Sequence, residues 1–477
     1  MLAPEDLVHN GLPTRPGPGS NAKRAARLAD RIVEDVMDMG WPVGEVLGAE
    51  LELLERYQVS RAVFREAVRL LEHQEVARTR RGPGGGLVIT EPTMEAVIDA
   101  VMLYLLRVDA RLDEVFEARI LLEEMAAALA AQRLSDADRP RLQEFLESEH
   151  PARRADPRAL HTLVASCSQN AALWLFVEVV HRVATLYSHG WKSFGKTSEI
   201  VHAHSRIAEA ILDGDAPTAR RRMRVHLEAE AEFLRRRRTT RQILPDHILT
   251  DSPGTGKRAE TIARELARTV VVNGLQPGDL IGTEAELIEK EKASRAVLRE
   301  AVRLLEYHRI AAMRRGPGGG LFVVEPDPGA VTDVVAIYLA RQGMALSKLS
   351  ELRSAVEMVI VALAVERSDP QGAARISEAL TREKSSGEEE RSETIHDLHA
   401  ALAAVAGNRV LELVALVLIR LSRLHQVERL APMALDQIRA EILRAHSGIA
   451  SAVTAGDLDL ARRRMGLHLD ALAAVIQ

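Results

Sequence analysis

Apolar residues recur every three or four positions over most of the 477-residue chain, which is the spacing of amphipathic helices. The first clear case is formed by Leu28, Ile32, Val36 and Met39, which predict one helix. A turn follows around residues 40–44, where two glycines occur. The amino-terminal segment is therefore predicted to begin with a helix and a turn.

A compact pattern of elements follows this first helix. A short helix near residues 49–57 leads through a turn at Val59-Ser60-Arg61 into a third helix over about 61–73. The apolar stripe of the third helix is predicted to be Val63, Ala67, Leu70 and Leu71. The sequence RRGPGGGLVI then predicts a glycine-rich tip and a short strand. Helix, helix, turn, helix and hairpin is the order of a winged helix-turn-helix.

The region after this pattern is almost purely helical. Apolar residues recur at helical spacing over 93–108, 111–133, 171–189 and 197–213. We expect six or seven helices that form a bundle.

The chain repeats itself at an offset of 234 residues. Residues 59–92 read VSRAVFREAVRLLEHQEVARTRRGPGGGLVITEP, and residues 293–326 read ASRAVLREAVRLLEYHRIAAMRRGPGGGLFVVEP; 23 of the 34 positions are identical. This period is far too long for a solenoid, so the chain contains a duplicated two-part unit.

The predicted fold class is mainly α, with two winged helix-turn-helix domains and two all-α helical bundles in one chain. Proline, glycine and polar residues mark the segments between these domains. The predicted organisation is a disordered tail over 1–21, a winged helix over 22–92, a helical domain over 93–238, a linker over 239–256, a winged helix over 257–326 and a helical domain over 327–477.

Composition narrows the class of protein. Hydrophobic residues at 47% and charged residues at 27% are typical of a globular protein. The single cysteine, Cys167, excludes an intrachain disulfide and favours a reducing compartment. No apolar run of about 18 residues and no signal peptide are found, so we expect a cytoplasmic protein without a membrane partner.

Arginines spaced by four lie on one face of the third helix in each unit, although the net charge of the chain is −5. Such a helix suits the major groove, where arginine reads guanine and contacts phosphate. A solvated helix face is the plain alternative, and the occurrence of the whole element order twice argues against it. The candidate DNA-binding residues are Ser60, Arg61, Arg65, Arg69, Arg80, Arg81 and Gly84, with Ser294, Arg295, Arg299, Arg303, Arg314, Arg315 and Gly318.

V-S-R-x-x-x-R-E-A followed by the glycine-rich wing resembles the GntR family of bacterial transcription regulators, in its FadR-type branch with an all-helical ligand domain. The resemblance implies that Arg61, Arg65, Arg295 and Arg299 contact DNA and that the wing tips approach the minor groove. A further DNA-contacting arginine of some relatives is replaced here by Leu51 and Ala285. Relatives carry one unit per chain and dimerise, so this chain resembles a fused pseudo-dimer.

Three histidines recur in each helical region. They are His161, His204 and His226 in the first copy and His399, His446 and His468 in the second. The last two members of each set are separated by 22 residues. Because neutral imidazoles bind zinc, nickel and similar ions, each set is a candidate site for a divalent transition metal. Polar packing histidines are the alternative.

The resemblance implies a fourth ligand, an Asp four residues before the first histidine. Those positions hold Pro157 and Ile395. Asp156 is one residue away and is a possible ligand, so the first site is predicted to bind metal more tightly. His189 and His202 have no partner in the second copy and are expected at the surface.

Arg119 and Arg353 fall where relatives use an arginine to hold the carboxylate of a ligand. The resemblance therefore implies a small organic acid as effector, held by arginine beside the metal. Each arginine precedes a glutamate, Glu123 or Glu357, by four residues, so an intrahelical ion pair is the alternative.

These observations predict a DNA-binding transcription regulator that is not an enzyme. Its partners would be a double-stranded operator and a small organic acid, and repression is the commoner outcome in the family. Ligand binding would change the relative placement of the two winged helices. Two alternatives are a metal-dependent enzyme that uses the three-histidine sites and a helical scaffold without DNA affinity.

Overall fold

The computed structural model describes residues 20–80, 82, 84–148, 159–187, 197–236, 257–386, 394–426 and 432–476. The predictions for the amino-terminal tail before Ser20, the linker, Arg81, Asp156 and His189 lie outside these residues. The chain divides into two compact units, one up to Pro92 and one from Thr93 onwards. Each unit is described by itself.

The first unit is a winged helix with a three-stranded sheet of order β1-β3-β2. Both strand pairs are antiparallel, with Val46 opposite Val88 and Ala77 opposite Ile89. Its elements are α1 (Ser20–Asp38), β1 (Val46–Gly48), α2 (Glu50–Tyr57), α3 (Arg61–His73), β2 (Ala77–Arg80) and β3 (Gly86–Ile89).

Strand β1 was not predicted from the sequence. Three residues are too short to show the alternation of apolar and polar positions that identifies a strand. Its pairing requires a glycine in the neighbouring strand, since a Cβ on Gly86 would lie 2.4 Å from the carbonyl oxygen of Gly48. Glycine at this position indicates a close approach of two backbones.

The core of the first unit agrees with most of the predicted apolar positions. Leu28, Ile32 and Val36 are buried, as predicted. Met39, which was included in the helical periodicity, is 47% exposed and follows the end of α1 at Asp38. The buried stripe of α3 is wider than predicted and includes Phe64 and Val68, because this helix packs against both α1 and β2. Leu70 is only half-buried.

The second unit contains another winged helix and two helical domains. The sheet of this winged helix has the order β4-β6-β5, with Leu280 opposite Phe322 and Ala311 opposite Val323. Its elements are α11 (Lys257–Val272), β4 (Leu280–Gly282), α12 (Glu284–Glu291), α13 (Arg295–Tyr307), β5 (Ala311–Arg314) and β6 (Gly320–Val323).

Each helical domain has seven helices within the described residues, in line with the predicted bundles. The first contains α4 (Met94–Arg107), α5 (Leu112–Arg133), α6 (Asp138–Ser148), α7 (Ala159–Cys167), α8 (Ala171–Tyr187), α9 (Thr197–Leu212) and α10 (Ala216–Arg236). The second contains α14 (Pro328–Arg341), α15 (Leu346–Arg367), α16 (Pro370–Ser385), α17 (Asp397–Val405), α18 (Arg409–Gln426), α19 (Pro432–Thr454) and α20 (Leu458–Ile476).

The central helix of each domain, α5 or α15, is surrounded by the others. Helix α5 packs against α7, α8, α9 and α10, and it is apolar or small on nearly every side. A helix that is buried on nearly every side shows little amphipathic character. The residues of the central helix therefore form the centre of the core. The middle of each central helix therefore brings polar residues such as Arg119 and Arg353 into the interior.

The two helical domains contact each other through equivalent residues. The Asn170 side chain donates a hydrogen bond to the Lys348 carbonyl oxygen at 3.0 Å, and Asn408 donates to the Glu114 carbonyl oxygen at 3.0 Å. Positions 114 and 348 correspond at the offset of 234 residues. In addition, Arg133 pairs with Glu351 and Arg367 with Glu117. This reciprocity is the pattern of an isologous contact, formed here within one chain.

None of the helices in the described part of the chain is both long enough and apolar enough to span a bilayer.

Candidate functional site

The arginine-bearing helices α3 and α13 begin in the same way. The Ser60 hydroxyl accepts a hydrogen bond from the Val63 amide at 3.4 Å, and the Ser294 hydroxyl accepts one from the Val297 amide at 3.3 Å. A serine in this place satisfies an amide that the helix leaves free. The two predicted serines therefore act as N-caps that fix where each arginine-bearing helix starts.

The predicted arginines lie on the exposed face of these helices. Arg65 and Arg299 are each 69% exposed. Their acidic neighbours are distant: Glu50 lies 3.7 Å from Arg65, and Glu284 lies 3.9 Å from Arg299. Exposed ion pairs of this kind contribute little, so the guanidinium groups are not held by strong partners within the described residues. The other exposed arginines on these helices are Arg61, Arg69, Arg295 and Arg303.

The wings place further arginines beside glycine-rich tips. Gly84 and Gly318 adopt φ values of +68° and +72°, a conformation that favours glycine. Arg80 donates to the Gly84 carbonyl oxygen at 2.8 Å, so its side chain braces the tip. The guanidinium of Arg314 stacks 4.3 Å from the Phe322 ring, and Arg315 is exposed.

The three predicted histidines of the second helical domain converge on one point. The Nε2 atoms of His399, His446 and His468 are 3.2 Å from one another. All three residues are buried. The Nδ1 atom of His446 lies 2.8 Å from Glu383 Oε2, and that of His399 is hydrogen-bonded to Glu357. A carboxylate on Nδ1 fixes the proton there and leaves Nε2 with a lone pair.

This donor set fits a divalent transition metal. Three imidazole nitrogens at about 2.0–2.1 Å from a tetrahedral ion are about 3.4 Å apart, close to the spacing seen here. Burial, followed by His399 and His446, lowers the pKa of His468 to about 2, so this imidazole is neutral and able to bind metal.

The first helical domain has the corresponding triad. The ligand atoms of His161, His204 and His226 all lie within 4.8 Å of one another, and the Nε2 atoms of His161 and His226 are 3.4 Å apart. The triad lines a cavity of about 600 Å³, whose wall also includes Glu230 and Phe233. The exposed His202 contributes to the same wall.

Arg119 and Arg353 form the intrahelical ion pairs that were the alternative to a ligand clamp. Arg119 Nε lies 2.7 Å from Glu123 Oε1, and Arg353 Nε lies 2.5 Å from Glu357 Oε1. The second oxygen of each glutamate contacts the first histidine of its triad. Burial alone raises the pKa of Glu123, but Arg119 and His161 outweigh it and hold the pKa well below its usual range. The role of the arginines as ligand clamps stays a prediction.

Several polar residues at these sites were missed from the sequence. His181 and Glu230 contact Arg119, and Glu383 contacts His446. His396 is also buried, and its ring lies 6.1 Å from that of His399. The repeat gave no signal for His181 or Glu230, since neither is matched by a like residue in the second copy.

Comparison with known families identifies both kinds of domain. Residues 24–86 match the profile described as "Bacterial regulatory proteins, gntR family". The profile of the FCD domain matches twice, at residues 114–229 and 348–471, and so covers half of the chain. The chain belongs to the GntR family of FCD-domain regulators. It is a DNA-binding transcriptional regulator and not an enzyme.

The similar proteins of this GntR group are themselves regulators. The Exu regulon transcriptional regulator of Escherichia coli is 29% identical over 216 residues, which are 43% of this chain and 80% of that protein. LutR of Bacillus subtilis is 28% identical over 200 residues, 39% of this chain and 89% of that protein. A putative L-lactate dehydrogenase operon regulatory protein of Escherichia coli is 29% identical over 215 residues, 42% of this chain and 82% of that protein.

Among solved structures, Streptococcus agalactiae GntR is similar at 24% identity and a TM-score of 0.33. That match covers 44% of this chain and 99% of the other.

Proposed function

We propose that this GntR-family chain binds a pseudo-palindromic operator with both of its winged helices, and that it represses transcription until a small organic acid binds its helical domains. The observation that carries the proposal is that each copy joins an exposed arginine face to a converging histidine triad. The reciprocal contacts of Asn170 and Asn408 support the view that one chain supplies what two chains supply in a dimer.

The histidine triads are the proposed ligand sites. A divalent transition metal, when bound, supplies a Lewis-acidic centre with positions left for oxygen donors. The chain's own residues orient this site: Glu123 and Glu357 hold the first imidazole of each triad, and each is held in turn by an arginine. One similar regulator is named for an L-lactate dehydrogenase operon, which supports an organic acid as the class of effector.

The two winged helices are expected to read two half-sites about one helical turn apart. Sequencing DNA selected by the full chain identifies the operator. Arg65→Ala and Arg299→Ala are each expected to weaken specific binding by about 1–3 kcal/mol if the arginine reads a guanine. Arg236→Ala removes an exposed arginine of α10 and serves as the control, with affinity unchanged.

The mass of the protein–DNA complex tests the rest of the proposal. One chain per operator is expected. A minimum of two chains would contradict the fused pseudo-dimer, and unchanged affinity of either arginine variant would show that its winged helix does not read this operator.

A further inference from the structure

The arginines at equivalent positions of the two central helices have different partners. Every guanidinium nitrogen of Arg119 is engaged. Besides Nε on Glu123, Nη1 donates to Glu230 Oε1 at 3.0 Å and Nη2 lies 3.2 Å from His181 Nδ1. This arginine is completely buried. The first domain therefore neutralises its arginine with two carboxylates of the chain itself.

Arg353 keeps one donor group free. Its Nε donates to Glu357, and its Nη1 donates to the Ser422 hydroxyl at 3.2 Å. Its Nη2 is buried without a hydrogen-bond partner among the described residues, as is Nε2 of the adjacent His396. Only 6% of the Arg353 side chain is exposed. A buried donor without a partner is destabilising and indicates the place of an acceptor that is not part of the chain.

The difference in the number of carboxylates around the two arginines arises at one helix position. Glu230 follows the third histidine of its triad, His226, by four residues on α10. The residue four positions after His468 on α20 is Leu472. Glu230 also forms part of the cavity wall beside the triad. Its carboxylate thus reaches Arg119 from the side on which a ligand would enter.

We infer that Glu230 is an internal carboxylate that occupies the arginine of the first domain, and that a small carboxylate ligand binds through arginine only in the second domain, at Arg353. This inference rests on the proposed function, because it divides the sensing of an acid between the two domains. A ligand carboxylate in the first domain would meet the like charge of Glu230 and an arginine whose nitrogens are already used.

Reciprocal exchange of the two residues tests the inference in the full-length, zinc-loaded protein. The probes are L-lactate, succinate and citrate, and isothermal titration calorimetry counts the sites for the tightest of them. One site per chain is expected in the wild type, two in Glu230→Leu and none in Leu472→Glu. Glu228→Leu, which removes an exposed charge from the same helix, is the control and keeps one site.

Glu230→Gln is a second test variant. It keeps the side-chain size while removing the charge, so it disturbs the packing less than Glu230→Leu. It is expected to gain the second site as well, and circular dichroism melting reports whether each variant is folded. Two sites in the wild type, unchanged stoichiometry in both Glu230 variants, or no binding of any probe would overturn the inference. Operator selection and the arginine variants report on DNA binding without any carboxylate, so they separate failure of the inference from failure of the proposed function.

Discussion

The two helical domains share a histidine triangle and an arginine–glutamate pair, but they differ in the polar groups around them. In the first domain Glu230 and His181 complete the contacts of Arg119, whereas in the second Arg353 has Ser422 and one free nitrogen. The histidines and the arginine–glutamate pair occupy equivalent positions in the two copies of the repeat. The comparison teaches that two sites with similar histidine geometry have different numbers of charged groups around the arginine.

The largest expected effect concerns the buried glutamates. Glu357→Gln leaves the guanidinium of Arg353 buried without a counter-charge, and we expect a loss of about 3–5 kcal/mol in the free energy of unfolding. Glu123→Gln should cost less, because Glu230 still neutralises Arg119. Urea unfolding of the full chain in the presence of chelator, followed by circular dichroism, measures both. Equal losses would mean that Glu230 contributes nothing to the charge balance of the first site.

A smaller effect is expected on metal binding. Glu383→Gln removes the carboxylate on Nδ1 of His446, and we expect the affinity of the second site for zinc to fall about 10–100-fold, while the first site is unaffected. Competition with a chromophoric chelator measures both sites. His446→Ala and His204→Ala assign them, since each should remove one equivalent of metal. Metal loss from both sites in Glu383→Gln would contradict a local role.

The same titration ranks the two sites in the wild-type protein. The sequence favours the first site because Asp156 is one residue from the position expected for a fourth ligand, and that prediction is still to be tested. Asp156→Ala should weaken zinc binding only in the first domain if this carboxylate is a ligand.

The smallest expected effect concerns a second pair of equivalent positions, Asp99 and Asp333. Burial raises the pKa of Asp99 to about 6, with Arg182 offsetting part of the shift. The unfolded value is about 3.9. Between these values the folded state keeps a proton that the unfolded state has released, so stability should rise as the pH falls from 7 to 5. Asp99→Asn should remove this rise, which thermal melts over that pH range detect.

The equivalent aspartate of the second domain provides the matched control. Asp333 pairs with Arg420 at 2.7 Å, whereas Arg182 of the first domain pairs with Glu178. Asp333→Asn should therefore lower stability at pH 7, by no more than about 1 kcal/mol for a partly exposed pair. A stabilising effect of Asp333→Asn would show that the two aspartates have the same environment.

The sequence was sufficient to predict the elements that depend on periodicity and on the repeat. The helices of the bundles and the two sets of three histidines were predicted, because each leaves a signal in local spacing or in both copies. What it missed depends on long-range packing. The contact of Glu230 with Arg119 joins residues 111 positions apart, and no spacing rule identifies such a pair.

Errors at the level of single residues have a similar cause. Met39 continues the helical period of α1, yet the helix ends at Asp38 and the chain turns away through Gly40. Strand β1 exists only because β3 pairs with it, so its three residues carry no pattern of their own.

The reciprocal contacts of Asn170 and Asn408 lie within one covalent chain, and this has a genetic consequence. In an assembly of two identical subunits every substitution appears on both sides at once. Here one half can change alone, as the glutamate at position 230 and the leucine at position 472 illustrate. The covalent link also keeps the partner domain at a high effective concentration, so dilution does not separate the pair. Even a cell that holds a single molecule therefore has both halves of its regulator.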